Sequence, residues 1–297
     1  MTSIEDFENR CETLCLSRGF TPHTNIVHKR FIMDFIAHTW YIHSKNNQGY
    51  AMLDLLDDPS NLYDGDKFNS NFRCNLRDLV SQNLAENPAF SYVLNVLTNN
   101  KGKGVGIGEM ILPLIVDKWQ LLSGSDGWCA GGKRECKNGQ GSSLKPLPAD
   151  TTTNGHIDKL NEQYWQKTWP GTARHHQKHA EVVIASPDAD KKYAEYLGKI
   201  YPGKSVDTLA NDLVSCINDV NRYNWTLGLA VLGWYKELDN WHSIVLIHPK
   251  SLDIVNIANI DDSIKDFGIK FHPVMNRKKN TQAVSDGFVN IEMKARV

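Results

Sequence analysis

Asp126-Gly127-Trp128-Cys129-Ala130-Gly131-Gly132-Lys133-Arg134-Glu135-Cys136-Lys137 is the stretch on which the fold turns. Two strand-like runs, Asp126 to Ala130 and Lys133 to Lys137, flank Gly131-Gly132, a two-residue connection that favours a β-hairpin with a tight primed turn. Successive side chains on a strand point to opposite faces, so Lys137 shares a face with Glu135. With Gly131-Gly132 as the turn, Asp126 falls near the open end opposite Lys137, and the two carboxylates converge on one face.

On the N-terminal side, Gly102, Gly104, Gly106 and Gly108 precede an apolar segment from Met110 to Leu122. Its Ile111, Leu112, Leu114, Ile115, Val116, Trp119 and Leu122 suit a buried helix. Pro113 sets the start of that helix close to Gly108-Glu109, because a missing N–H is tolerated only near a helix N-terminus. The glycines do not form a nucleotide loop: no Lys-Ser or Lys-Thr follows them, and their spacing is not that of the dinucleotide fingerprint. They are read as the entry to the helix that presents Glu109.

The first hundred residues read as helical, with apolar residues at three- and four-residue spacing from Phe31 to Trp40, from Asn75 to Leu84 and from Phe90 to Leu97. Beyond the hairpin, residues 142 to 180 read as loop with a short helix near Leu160 to Trp165. Arg174-His175-His176-Gln177-Lys178-His179 has a His-x₃-His spacing but no acidic or cysteine third ligand nearby, and is read as polar surface. Glu181 to Ala185 reads as a buried strand, and Asp190 to Lys199 and Ser205 to Asn221 as amphipathic helices. Trp225 to Trp234 reads as core, and Ser243 to His248 with Leu252 to Ile257 as a late hairpin around Pro249-Lys250.

With 33 Lys+Arg against 34 Asp+Glu, a nucleic-acid binder of this composition must gather positive charge locally. Clusters occur at Lys101 and Lys103, at Lys133, Arg134, Lys137 and Lys145, and at Arg277-Lys278-Lys279, each read in isolation as a solvated face. The six cysteines have no structural-zinc spacing, no basic-then-apolar leader opens the chain, and no run of about 18 apolar residues occurs. A reducing cytoplasm, free thiols and no membrane anchor are therefore expected.

Glu109 on a helix, Asp126 at a glycine turn and Glu135-x-Lys137 on a strand form the set that Mg²⁺-dependent phosphodiester hydrolysis requires. Mg²⁺ takes one or two carboxylates and keeps its remaining positions for water and phosphate. The arrangement resembles the restriction-endonuclease-like superfamily, the PD-(D/E)xK nucleases. Its form here, Gly-x-Gly-Glu leading a helix, Ser-Asp opening a hairpin and Glu-x-Lys followed by a glycine-rich stretch, is similar to a group of phage-encoded members.

The resemblance implies an α/β (α+β) fold, a mixed central sheet flanked by helices. It implies a helical region over 1–98 and a nuclease-like domain over 99–297 with an insertion around 146–240. By resemblance, Asp126 and Glu135 ligate Mg²⁺, or Mn²⁺, with the backbone carbonyl of Cys136 as a third protein ligand. Lys137 positions and helps deprotonate the attacking water, and Glu109 orients Lys137 or a metal-bound water. Lys133, Gln140, Ser142, Ser143 and Lys145 contact the phosphate backbone of DNA. A homodimer, a virion location and a virion or host partner are compatible with it, as is an inactive DNA-binding or structural protein of the same fold. Two departures stand out. Ser125 replaces proline before Asp126, and the interval from helix to Asp126 is short for the strand usually placed there.

Overall fold

The computed structural model describes residues 3–99, 107–122, 127–144, 218–273 and 289–295, with isolated positions between 212 and 216. Five helices precede residue 100: α1 (Ile4–Ser17), α2 (Ile26–Asn46), α3 (Gly49–Asp57), α4 (Gln82–Ala85) and α5 (Pro88–Asn99). Their apolar stripes meet around Phe7, Phe31, Phe35, Leu53, Phe90 and Leu94. Cys11 and Cys15 belong to this core, and burial pushes the Cys11 thiol up to about 12 and raises that of Cys15 further. Both are protonated packing groups rather than nucleophiles.

One stretch of this helical region is a strand, β1 (Phe72–Asn75). Its partner is β7 (Asp253–Ile257), in antiparallel register from Phe72↔Asn256 to Asn75↔Asp253. Arg73 secures the contact by an ion pair to Asp253 at 3.0 Å. Residues 72–75 therefore complete a sheet built mainly from residues beyond 119, and one hydrophobic core runs from Phe7 to Ile254 across position 98.

The remaining elements are α6 (Ile107–Ile115), β2 (Gln120–Leu121), β3 (Gly127–Cys129), β4 (Gly132–Asn138), β5 (Ser142–Ser143), α7 (Val220–Asp239), β6 (Ser243–Ile247), β8 (Ile269–Pro273) and β9 (Val289–Met293). Six strands form a mixed sheet in the order β1-β7-β6-β4-β3-β2, and three form a second sheet, β5-β9-β8. β2, β3 and β4 run antiparallel, whereas β4 and β6 are parallel. Parallel neighbours need a crossover connection, and α7 lies within it. The protein is thus a mixed α/β structure whose central sheet is flanked by helices.

The two faces of the sheet bury different partners. Cys136, Val245, Ile247 and Ile254 face the core shared with α6 and the N-terminal helices. Ile244, Leu246, Val255 and Ile257 face Tyr223, Leu227, Val231 and Tyr235 of α7 and the inner residues of β8 and β9.

Two further details differ from the sequence expectations, each for a local reason. The helix of the Met110 to Leu122 segment ends at Ile115. There the Tyr63 N–H donates to the Ile115 carbonyl at 2.9 Å and the Asp117 N–H to the Tyr63 carbonyl at 2.8 Å, so pairing with another segment replaces further helical bonds. Gln120-Leu121 is then available as the minimal strand β2 ahead of the hairpin.

The hairpin turn is Ala130-Gly131, one residue earlier than Gly131-Gly132, with φ of 49° and 72°. Both central residues of such a turn need positive φ, which Ala130 adopts at a steric cost of about 1–2 kcal/mol. Gly132 is required elsewhere: a Cβ at that position would lie 2.2 Å from the His242 ring. The shift changes the register to Gly127↔Arg134 and Trp128↔Lys133, replacing the alignment that set Asp126 opposite Lys137.

The glycine run 102–106, Asp126, Lys145, the short helix expected near 160–165, the histidine run 174–179, the strand expected at 181–185, the helix expected at 190–199 and most of the helix expected at 205–221 lie outside the described residues. The late hairpin forms as β6 and β7 with residues 248–252 between them.

Candidate active site on the inner face of β4

Strand β4 alternates between the two faces. Its even residues Arg134 and Cys136 point into the α6-side core, and its odd residues Lys133, Glu135 and Lys137 point toward α7. Lys137 Nζ lies 2.6 Å from Glu135 Oε1. The Tyr235 hydroxyl on α7 donates a hydrogen bond to the same oxygen, and the Lys137 ammonium stands 5.4 Å from the Tyr235 ring centroid.

The Glu135 side chain is only 7 % exposed and that of Lys137 24 %. A carboxylate buried to that degree needs charged or hydrogen-bonding partners, and it has both. The lysine remains open to solvent on one side and can reach an incoming ligand.

Tyr235 was not among the expected site residues. The Trp225 to Trp234 segment reads as core, and α7 does bury Leu227 and Val231, two turns and one turn before Tyr235 on the same stripe. The signal was the tyrosine itself: a buried hydroxyl in an apolar stripe requires a polar partner, which here is Glu135. Trp241 is core packing, edge-to-face with Tyr235 at 5.8 Å.

Glu109 sits in the first turn of α6, a helix whose apolar side joins the core on the Cys136 face, and its side chain is not among those described. Asp126 lies outside the described residues. The residue after it, Gly127, pairs with Arg134, the residue before Glu135. The Cys136 thiol is buried on the opposite face, so only its backbone remains on the side of Glu135. Lys133 shares the face of Glu135, two residues toward the hairpin turn.

Gln140 occupies an exposed turn, where its backbone N–H donates to Asn138 Oδ1 at 2.9 Å. Ser142 and Ser143 form β5 and pair with β9 rather than lying in a polar exit loop. The Ser142 hydroxyl donates to the Asn138 carbonyl at 3.0 Å and that of Ser143 to Asn290 Oδ1 at 2.9 Å, on opposite sides of the strand.

Arg134 departs furthest from its expected role in a solvated cluster. It is fully buried and donates to the carbonyls of Phe68 at 2.9 Å and Cys129 at 3.0 Å, to Ser243 Oγ at 3.2 Å and to Asn69 Oδ1 at 2.7 Å. It fastens the hairpin to β6 and to the segment preceding β1.

Among the described residues, no group of three or more His, Cys, Asp or Glu side chains is placed to hold a metal ion. The described donor set is one buried carboxylate with a lysine and a tyrosine beside it. That set fits a hard cation that needs only one or two protein carboxylates. Comparison with protein-family models, with curated proteins and with solved structures finds no match to this chain.

Proposed function

We propose that the chain is a divalent-metal-dependent nuclease of the restriction-endonuclease-like type, hydrolysing phosphodiester bonds of DNA. The observation that carries this reading is the Glu135–Lys137 pair: a buried carboxylate and a reachable ammonium on one strand face, 2.6 Å apart and braced by Tyr235. The short strand β2 between α6 and the hairpin, and a mixed sheet with helices on both faces, accord with the fold that the resemblance implies.

In this reading Asp126, Glu135 and the Cys136 carbonyl hold Mg²⁺, which supplies a lowered pKa for bound water and charge neutralisation at the phosphoryl group. The Lys137 ammonium has three donors, of which Glu135 engages one. Its remaining donors orient the attacking water and stabilise charge on a non-bridging phosphoryl oxygen. The Tyr235 hydroxyl fixes the carboxylate rotamer, so that Glu135 meets a cation with its oxygens already aimed. Hydrolysis then releases a 3′-hydroxyl and a 5′-phosphate.

The test is cleavage of linear and supercoiled DNA in Mg²⁺ and in Mn²⁺ by wild type, Glu135→Ala and Lys137→Ala. Wild type cleaves, and both variants lose cleavage while keeping a cooperative melt. Variants that cleave at the wild-type rate contradict the assignment. DNA retained without cleavage by the wild type favours the inactive DNA-binding protein of the same fold.

A further inference from the structure

Trp128 is a large apolar side chain left in solvent, 39 % exposed in the middle of β3. Its surroundings are ordered across the sheet. It pairs with Gln120 of β2 on one side and with Lys133 of β4 on the other, and directly opposed residues of antiparallel strands share a face. The His242 N–H donates to the Lys133 carbonyl at 2.7 Å, and the His242 ring meets the indole edge-to-face at 6.3 Å and 62°. Gln120, Trp128, Lys133 and His242 thus form one row across the sheet.

The row depends on Gly132, since any Cβ there would strike the His242 ring at 2.2 Å. Burial and the neighbouring Arg134 and Lys236 charges hold His242 below its ordinary value, so at neutral pH it braces the indole as an uncharged ring. Glu135 is the diagonal neighbour of Trp128, two residues along β4 from Lys133, a relation in which the two backbone positions lie about 7–8 Å apart.

We infer that Trp128 is the stacking platform for an unpaired nucleobase of the substrate, with Lys133 on the adjoining phosphate and Gln120 at the base edge. An exposed indole offers a π face to any base, a lysine beside it neutralises the backbone, and an amide can hydrogen-bond a base edge. This deepens the nuclease reading and rests on it for the adjacent chemistry. The platform favours a single strand over a blunt duplex, in which the base faces are already stacked.

The experiment measures binding of a labelled single-stranded DNA oligonucleotide and of its blunt duplex to the full chain in EDTA, where no hydrolysis occurs. Wild type binds the single strand more tightly than the duplex. Trp128→Ala weakens single-strand binding by about 5- to 100-fold, the range for one lost base–aromatic stack. Trp128→Phe, which keeps a π face, retains most of the affinity, and Lys133→Ala lowers the salt slope of log K by about 0.7. Wild type that binds no single strand, Trp128→Ala that binds as wild type does, or Trp128→Phe that loses as much as Trp128→Ala overturns the inference.

Cleavage in Mg²⁺ is scored separately. Hydrolysis by wild type with equal binding by Trp128→Ala removes the platform and leaves the nuclease reading. Weakened binding by Trp128→Ala with no hydrolysis by wild type does the reverse.

Discussion

Arg134 and Glu135 are neighbours on one strand, both charged and both buried, yet they are satisfied in opposite ways. Arg134 is held by main-chain carbonyls, an amide and a hydroxyl whose positions are set by the fold. Glu135 is held by a phenol and an ammonium at the ends of side chains, one of them partly in solvent. Fixed neutral acceptors spend a charge on structure. Side-chain donors leave the carboxylate able to exchange partners when a cation or phosphate arrives. On the proposed reading, the pleat of β4 thus separates an anchoring face from a reactive one at single-residue spacing.

Substitutions on the two faces should part along that line. The largest effect is expected at Lys137, where Lys137→Ala lowers the DNA cleavage rate by about 10²–10⁴-fold, the range for a positioned proton-transfer or charge-stabilising group. Its melting temperature falls by less than that of Arg134→Ala, because Tyr235 still donates to the buried Glu135. Arg134→Ala does the opposite: urea unfolding should show a loss of about 3–5 kcal/mol from a cavity and several buried carbonyls left without donors. A variant at Arg134 that lost cleavage with full stability would break the distinction. Tyr235→Phe keeps the ring beneath Lys137 and removes one donor to Glu135, so turnover should fall by about tenfold with little change in stability.

The smallest effect concerns pH. Burial holds His28 below its ordinary value of 6.5, and burial with nearby Lys250 and Arg73 does the same for His248 against the opposing pull of Asp253. Between each lowered folded value and 6.5 the unfolded chain binds more protons, so stability rises with pH across that window and is lost as pH falls through it. Melting temperatures measured between pH 7 and about 5 should fall with acidification, and less steeply in His28→Asn or His248→Asn.

Much of this arrangement was legible in the residues. Period-two alternation sets Glu135 and Lys137 on one face whichever residues make the turn, and the continuous apolar run of β6 marks a strand buried on both faces. What was not legible depends on contacts distant in the chain. Phe72–Asn75 has no burial alternation of its own and becomes a strand by pairing with residues 253–256. The early end of α6 follows from Tyr63, the one-residue shift of the hairpin turn from the ring of His242, and the bracing of Glu135 from a tyrosine on a helix 100 residues later. No local period encodes such meetings. Arg134 could not be told from Lys133 by composition, since only the pleat decides which of the two is buried.

The most direct measurement is Mn²⁺ binding, counted by electron paramagnetic resonance, for wild type, Glu135→Gln and Arg134→Lys. Wild type should bind Mn²⁺ at one site, Glu135→Gln should weaken that binding by at least about tenfold, and Arg134→Lys, where folded, should leave it intact. Glu135→Gln binding Mn²⁺ as tightly as wild type would contradict the assignment of the inner face of β4 as a metal site.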